Sequence, residues 1–64
     1  MRNKIKELRK QIRLRQEDMA KELGVTRQTI NAIENNKYNP TLELAMKLAI
    51  LLKTPVEEIF KLDE

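Results

Sequence analysis

The sequence predicts an all-α domain of five short helices, and three observations lead there. Apolar residues recur at spacings of three and four along most of the chain. No segment of useful length alternates with period two. Residues suited to helix ends (Gly24, Thr26, Thr41, Pro55) fall between the periodic stretches. With 64 residues the chain has room for a single domain, 1–64, and one modest core.

The first helix is expected over residues 4–14, where Ile5, Leu8 and Ile12 form an apolar line beneath a basic outer face. A short second helix runs from Gln16 to Leu23, with Met19, Ala20 and Leu23 on one side and Glu17 and Asp18 in the first turn. Acids there suit the positive end of the helix dipole. Gly24, the only glycine, marks its C-terminus because glycine takes positive φ without a Cβ clash. Thr26 can cap a third helix reaching about Asn35, whose apolar face is thin: Ile30, Ala32 and Ile33. The stretch from Asn35 to Pro40 has loop composition. Thr41 can cap a fourth helix, apolar through Leu42, Leu44, Ala45, Leu48, Ala49 and Leu52. Pro55 opens a fifth that ends near Ile59 or Phe60.

Composition excludes several function classes. There is no cysteine, so neither a disulfide nor a thiolate metal site can form, and no spacing of carboxylates suggests another metal site. The chain also lacks His and Ser, which leaves no nucleophile with an obvious base partner; neither an enzyme nor a cofactor is expected. No apolar run approaches a membrane span and no cleavable signal is visible, so a cytoplasmic protein with no membrane partner is expected. No ligand pocket for a small molecule is evident either. The net charge is only +3, but residues 1–37 hold ten Lys/Arg against five Asp/Glu, and residues 38–64 hold three against five. A basic half facing a polyanion and an acidic half facing something else would account for that asymmetry.

The stretch from Gln16 to Glu34, QEDMAKELGVTRQTINAIE, carries the most information. Two helices that cross closely need a small residue at the contact, and Ala20 supplies it. The reversal that follows needs a left-handed residue, and Gly24 comes four positions later. The second of the two must lock down through a narrow stripe, here Val25, Ile30 and Ile33, leaving its far face free. Counted from Gln16, alanine falls fifth, glycine ninth, and isoleucine fifteenth and eighteenth. This pattern, with the motif at about 16–35, resembles the helix-turn-helix of lambda-repressor and Cro-like transcriptional regulators. The likeness extends over nearly the whole chain, and TRQTINAIENNKYNP is similar to small members that are little more than the DNA-binding domain.

The resemblance implies a recognition helix that lies in the major groove of double-stranded DNA with its N-terminal residues against base edges. By position those are Thr26, Arg27, Gln28 and Asn31. Arg27 can pair with guanine O6 and N7, and Gln28 or Asn31 with adenine N6 and N7. Ala32 stands where some relatives carry a polar reader and offers only an apolar touch to a thymine methyl. The resemblance also implies phosphate contacts from Gln16, at the start of the second helix, with Arg15, Thr29, Asn36, Lys37 and Tyr38 bracing the backbone around the motif. Arg9 and Glu34 match a basic–acidic pair that relatives use structurally.

One helix in one groove reads few bases, so the resemblance implies a homodimer on a palindromic operator. The region from Ile50 to Leu62 is expected to form the interface through Ile50, Leu51, Phe60 and Leu62, because Met46, Ile50 and Leu51 exceed what one core stripe needs. The resulting expectation is a sequence-specific regulator, most simply a repressor. The antitoxin of a toxin–antitoxin pair and a protein-interaction module that has kept the fold are the alternatives. Arg27, Gln28 and Asn31 argue against the last, which calls for acidic or apolar residues on that face.

Overall fold

A computed structural model describes residues 1–63. Within them the chain forms β1 (Arg2–Asn3), α1 (Ile5–Gln11), α2 (Gln16–Leu23), α3 (Arg27–Glu34), α4 (Leu42–Leu52), α5 (Val56–Ile59) and β2 (Phe60–Lys61). All five expected helices are present, and α2 and α3 pack most closely upon each other.

The caps read from sequence hold at α3 and α4. Thr26 Oγ1 accepts the Thr29 backbone N–H at 3.1 Å, and Thr41 Oγ1 accepts that of Leu44 at 3.2 Å. Each satisfies a donor that a helix start leaves unpaired, and is worth about 1 kcal/mol. Pro55 lies just before α5 rather than inside it.

Four helices stop in the same way. Arg13, Gly24, Asn36 and Lys53 all have positive φ, between 53° and 71°. Each N–H at those positions, and at the residue after it, turns back onto the preceding helix, as in Gly24 to Lys21 and Val25 to Ala20. This pair of bonds satisfies carbonyls that the helix end would otherwise strand. Only one of the four positions is glycine; arginine, asparagine and lysine accept the strain of the left-handed region at the others. Because Arg13 turns the chain there, α1 ends at Gln11 and Ile12 is 50% exposed. The expected line of Ile5, Leu8 and Ile12 therefore shortens to Ile5 and Leu8, with Leu14 returning to the core from the loop.

The core is built from Ile5, Met19, Ile30, Ile33, Leu48 and Ile59, all fully buried, with Ala20, Leu23, Leu44, Ala45, Leu52 and Phe60 around them. Each of the larger aliphatic side chains contributes ~1.5–3 kcal/mol by leaving water. Ala20 of α2 is buried in the same cluster, and Val25 packs at its edge. On α4 the inner face is Leu44, Ala45, Leu48 and Leu52. Leu42, expected among them, is 75% exposed. It stands 200° around the helix from Leu44 at about 100° per residue, in line with Met46 and Ile50.

Two further features depart from the sequence reading. A two-residue antiparallel strand pair joins the ends of the chain, Arg2 opposite Lys61 and Asn3 opposite Phe60. Two residues show no period, so no alternation could announce it. The Lys4 N–H also donates to the Ile59 carbonyl at 2.8 Å, and the Met1 ammonium lies 2.7 Å from Asp63. This pairing turns the Phe60 side chain inward, where it is only 8% exposed. Phe60, expected at a dimer interface, is instead part of the domain's own core.

Replacing Lys53 with glycine relieves the left-handed strain at the end of α4 without removing a contact of the core. The variant should gain up to ~1 kcal/mol in urea unfolding, the strain removed being partly offset by the greater freedom of glycine in the unfolded chain. Lys53→Ala should not gain, since alanine carries the same Cβ.

Candidate nucleic-acid interface

The free face of α3 follows from how the helix is held. Ile30 and Ile33 bind it to the core, so Arg27, Gln28 and Asn31 are left exposed on the far side, where they line one shallow concavity. A second concavity adjoins it, lined by Arg9, Arg15, Gln16, Glu17 and Arg27. Arg27 thus stands at the seam between the outer face of α3 and the N-terminus of α2.

Beneath this surface lies the ion pair of Arg9 and Glu34. Arg9 Nε donates to Glu34 Oε2 at 2.7 Å and its Nη2 to Oε1 at 3.3 Å. The Arg9 Nη1 group donates to the Leu14 carbonyl at 2.9 Å. The side chains retain 10% and 3% of their exposure, so the pair joins α1, the loop into α2, and the end of α3 in largely water-free surroundings. Such a pair fixes orientation more than it adds stability.

Gln16 extends the arrangement to the surface. Its Nε2 donates to Glu34 Oε1 at 3.0 Å and to Asn31 Oδ1 at 3.3 Å. Asn35 Nδ2 donates to the Asn31 backbone carbonyl at 2.9 Å and to Asn31 Oδ1 at 3.2 Å. The carbonyl oxygen of Asn31 is therefore occupied twice, and the adenine pairing anticipated for this residue would have to break one of those bonds.

The remaining candidates are placed as follows. The Thr26 hydroxyl is committed to capping α3 and lies 3.0 Å from that of Thr29, which is half-buried. Arg15 is exposed, with its guanidinium 3.1 Å from Glu17 and 3.0 Å from Asp18. Asp18 also accepts the Arg15 backbone N–H at 3.3 Å, which caps the start of α2. The hydrogen bond from Arg15 is the main cause holding the Asp18 carboxyl below its ordinary pKa, and it raises that of Arg15 in turn. Asn36 accepts from Asn3 Nδ2 at 3.0 Å, so its side chain ties the loop to β1. Lys37 and Tyr38 are exposed, Tyr38 in a depression with Gly24, Val25 and Thr41. Ile50 and Leu62 are exposed on the opposite part of the chain sequence, and Leu51 is half-buried.

Two contributors escaped the sequence reading. Asn35, expected only at the boundary between the third helix and the loop, helps fix Asn31. Asn3 bonds the Ile33 carbonyl at 2.8 Å as well as Asn36, and its Oδ1 accepts the Ile5 N–H at 3.1 Å. An asparagine two residues before the first periodic position is a cap-type signal that could have located it.

Residues 5–59 match the family described as helix-turn-helix. The chain belongs to the Cro and lambda-repressor-like helix-turn-helix family. Its helix-turn-helix is α2, the turn at Gly24 and α3. Similar proteins include an uncharacterized HTH-type transcriptional regulator of Methanocaldococcus jannaschii, 53% identical over 60 residues that cover 94% of this chain and 91% of the relative. One of the same description from Archaeoglobus fulgidus is 47% identical over 64 residues, covering 100% and 90%. The regulator YgzD of Bacillus subtilis is 44% identical over 64 residues, covering 100% and 97%. This is a family of transcription-regulator DNA-binding domains and not an enzyme class. Among the described residues no helix is long and apolar enough to cross a membrane.

Two outcomes are expected. Glu34→Ala strands the Arg9 guanidinium and should cost about 3–5 kcal/mol in thermal or urea unfolding, while Arg9→Met combined with Glu34→Leu should recover most of that loss. An NMR titration should place the Asp18 midpoint below that of a free aspartate, and Arg15→Ala should move it upward. A carboxylate with a lowered folded pKa stabilises above its unfolded value and loses that contribution as the pH falls through the folded one. The effect on folding therefore belongs to acid solution, and is small for so exposed a pair.

Proposed function

We propose that the chain is a sequence-specific transcriptional regulator, acting as a repressor, that binds a palindromic operator as a homodimer with α3 in the major groove. The observation that carries this reading is the free face of α3. Arg27, Gln28 and Asn31 share one concavity while Ile30 and Ile33 anchor the helix from behind. Arg27 has the forked donor set that matches guanine O6 and N7, and Gln28 suits adenine. Thr26, whose hydroxyl caps the helix, stands at the edge of this reading surface.

Phosphate contacts fall to the groups around it. The N-terminus of α2 offers backbone N–H groups and the helix dipole, with Gln16 in a lesser role because both hydrogens of its Nε2 are engaged by Glu34 and Asn31. Arg15 would exchange part of its pairing with Glu17 and Asp18 for a phosphate. Lys37 and Tyr38 are exposed on the far flank, with Thr29 and Asn36 beside them in lesser roles because both are engaged within the fold. The second copy would dock on the apolar surface of Ile50, Leu51 and Leu62, which Leu42 and Met46 extend along α4. An exposed apolar stripe on so small a domain suits association.

Selection from a random DNA pool tests the reading. A two-fold symmetric site should enrich, with half-site centres about one helical turn apart and affinity ~1,000-fold or more above a scrambled duplex. Arg27→Ala should cost about 1–3 kcal/mol and relax one position, whereas Lys37→Ala should weaken all sequences alike and lower the salt slope by about one. Binding that enriches no sequence and merely fades with salt would mean that the basic half is a non-specific polyanion surface.

A further inference from the structure

We infer that Asn31 reads DNA as a hydrogen-bond donor only, selecting guanine and discriminating against adenine, because a chain of bonds starting at Arg9 fixes the polarity of its amide. This rests on the proposed function and assigns the chemistry of one position within it.

The orientation follows group by group. A guanidinium can only donate, so the Glu34 carboxylate accepts from Arg9. That carboxylate can only accept, so the group Gln16 turns toward Glu34 must be its Nε2. The other hydrogen of Nε2 points to Asn31, which must answer with its oxygen, since an NH2 there would meet an NH2. Asn35 enforces the same choice from a second side. Its Nδ2 bonds the Asn31 backbone carbonyl, which is an acceptor only, and the same Nδ2 reaches Asn31 Oδ1. Both lone pairs of that oxygen are thus engaged. Among the described residues Nδ2 of Asn31 has no partner, and Asn31 is exposed in the concavity it shares with Arg27 and Gln28.

What remains to face a base edge is an NH2 group with two hydrogens. Guanine presents two acceptors in the major groove, N7 and O6, and thymine presents one, O4. Adenine keeps one acceptor, N7, but sets its N6 amino group beside it where guanine has O6, so one bond is replaced by a donor against a donor; cytosine shows only its N4 amino group and offers no acceptor. An asparagine free to rotate would favour adenine through a bidentate pair; this one has lost the acceptor half of that pair. Guanine should be preferred over adenine by about 5- to 150-fold, the range of one good base contact.

The experiment compares sites selected from random DNA by the wild-type protein and by Asn31→Ala, Asn31→Asp and Gln16→Ala, each first checked for a folded transition by thermal unfolding. The base pair whose preference disappears in Asn31→Ala is the one that Asn31 reads. Wild type should show guanine there, with thymine second. Asn31→Asp can still accept from Gln16 and Asn35 but offers no donor, so its preference should invert toward cytosine. Gln16→Ala removes one of the two bonds holding the amide and should narrow the guanine-to-adenine ratio at that pair, whatever it does to overall affinity. Adenine at that position in the wild-type site overturns the inference, as does a site with no position dependent on residue 31, or guanine retained by Asn31→Asp. In all three cases the regulator reading survives, because a site was selected. If wild type enriches nothing, the proposed function fails and this assignment falls with it.

Discussion

The buried pair of Arg9 and Glu34 is the interaction on which the arrangement of helices depends. It lies where α1, the loop into α2 and the end of α3 meet, and its Leu14 contact closes the turn between the first two helices. Burying two charges is costly, and their attraction returns that cost only when every remaining donor and acceptor is matched. Here they are matched: among the described residues no buried side-chain nitrogen or oxygen lacks a partner. A slip of α3 by one turn would strand both charges. The pair therefore specifies where α3 sits, and with it where Arg27, Gln28 and Asn31 stand relative to the N-terminus of α2.

The helices themselves need such help. An isolated helix of seven or eight residues is marginal in water, since nucleation is costly and few bonds follow to offset it. Stability comes instead from one shared core and from the way each helix is stopped. Turning back onto the preceding helix at Arg13, Gly24, Asn36 and Lys53 lets four helices fit within 53 residues, at the strain of three non-glycine left-handed positions. The strand pair of residues 2–3 and 60–61 then ties the two ends, so that α1 and α5 brace the same core.

The surface divides in two. Toward α3 and the start of α2 it is polar, with carboxamides, hydroxyls and guanidinium groups held by bonds among themselves and to Glu17, Asp18 and Glu34. Along α4 it is apolar, with Leu42, Met46 and Ile50 in a line that the domain's own core does not use. The polar far face of α3 and the apolar face of α4 lie on separate helices, so either can be covered without disturbing the other.

The helical class, the extents of α2 and α3 within a residue or two, the caps at Thr26 and Thr41, and the turn at Gly24 were all legible in the residues. All of these rest on local physics: period, cap chemistry and the conformational freedom of one glycine. The sequence also marked Arg27, Gln28 and Asn31 as the residues left over once Ile30 and Ile33 were assigned inward. The remaining features depend on contacts between elements distant in the chain. Ile12 and Leu42 face solvent although their spacing suits a core, because a left-handed Arg13 ends α1 early and α4 turns a different apolar row inward. Phe60 goes into the core because the two chain ends pair, an event of four residues with no sequence period. The direction in which Asn31 points its amide is set partly by Asn35, four residues on, and partly by Arg9, Gln16 and Glu34, which reach it only when the domain is folded.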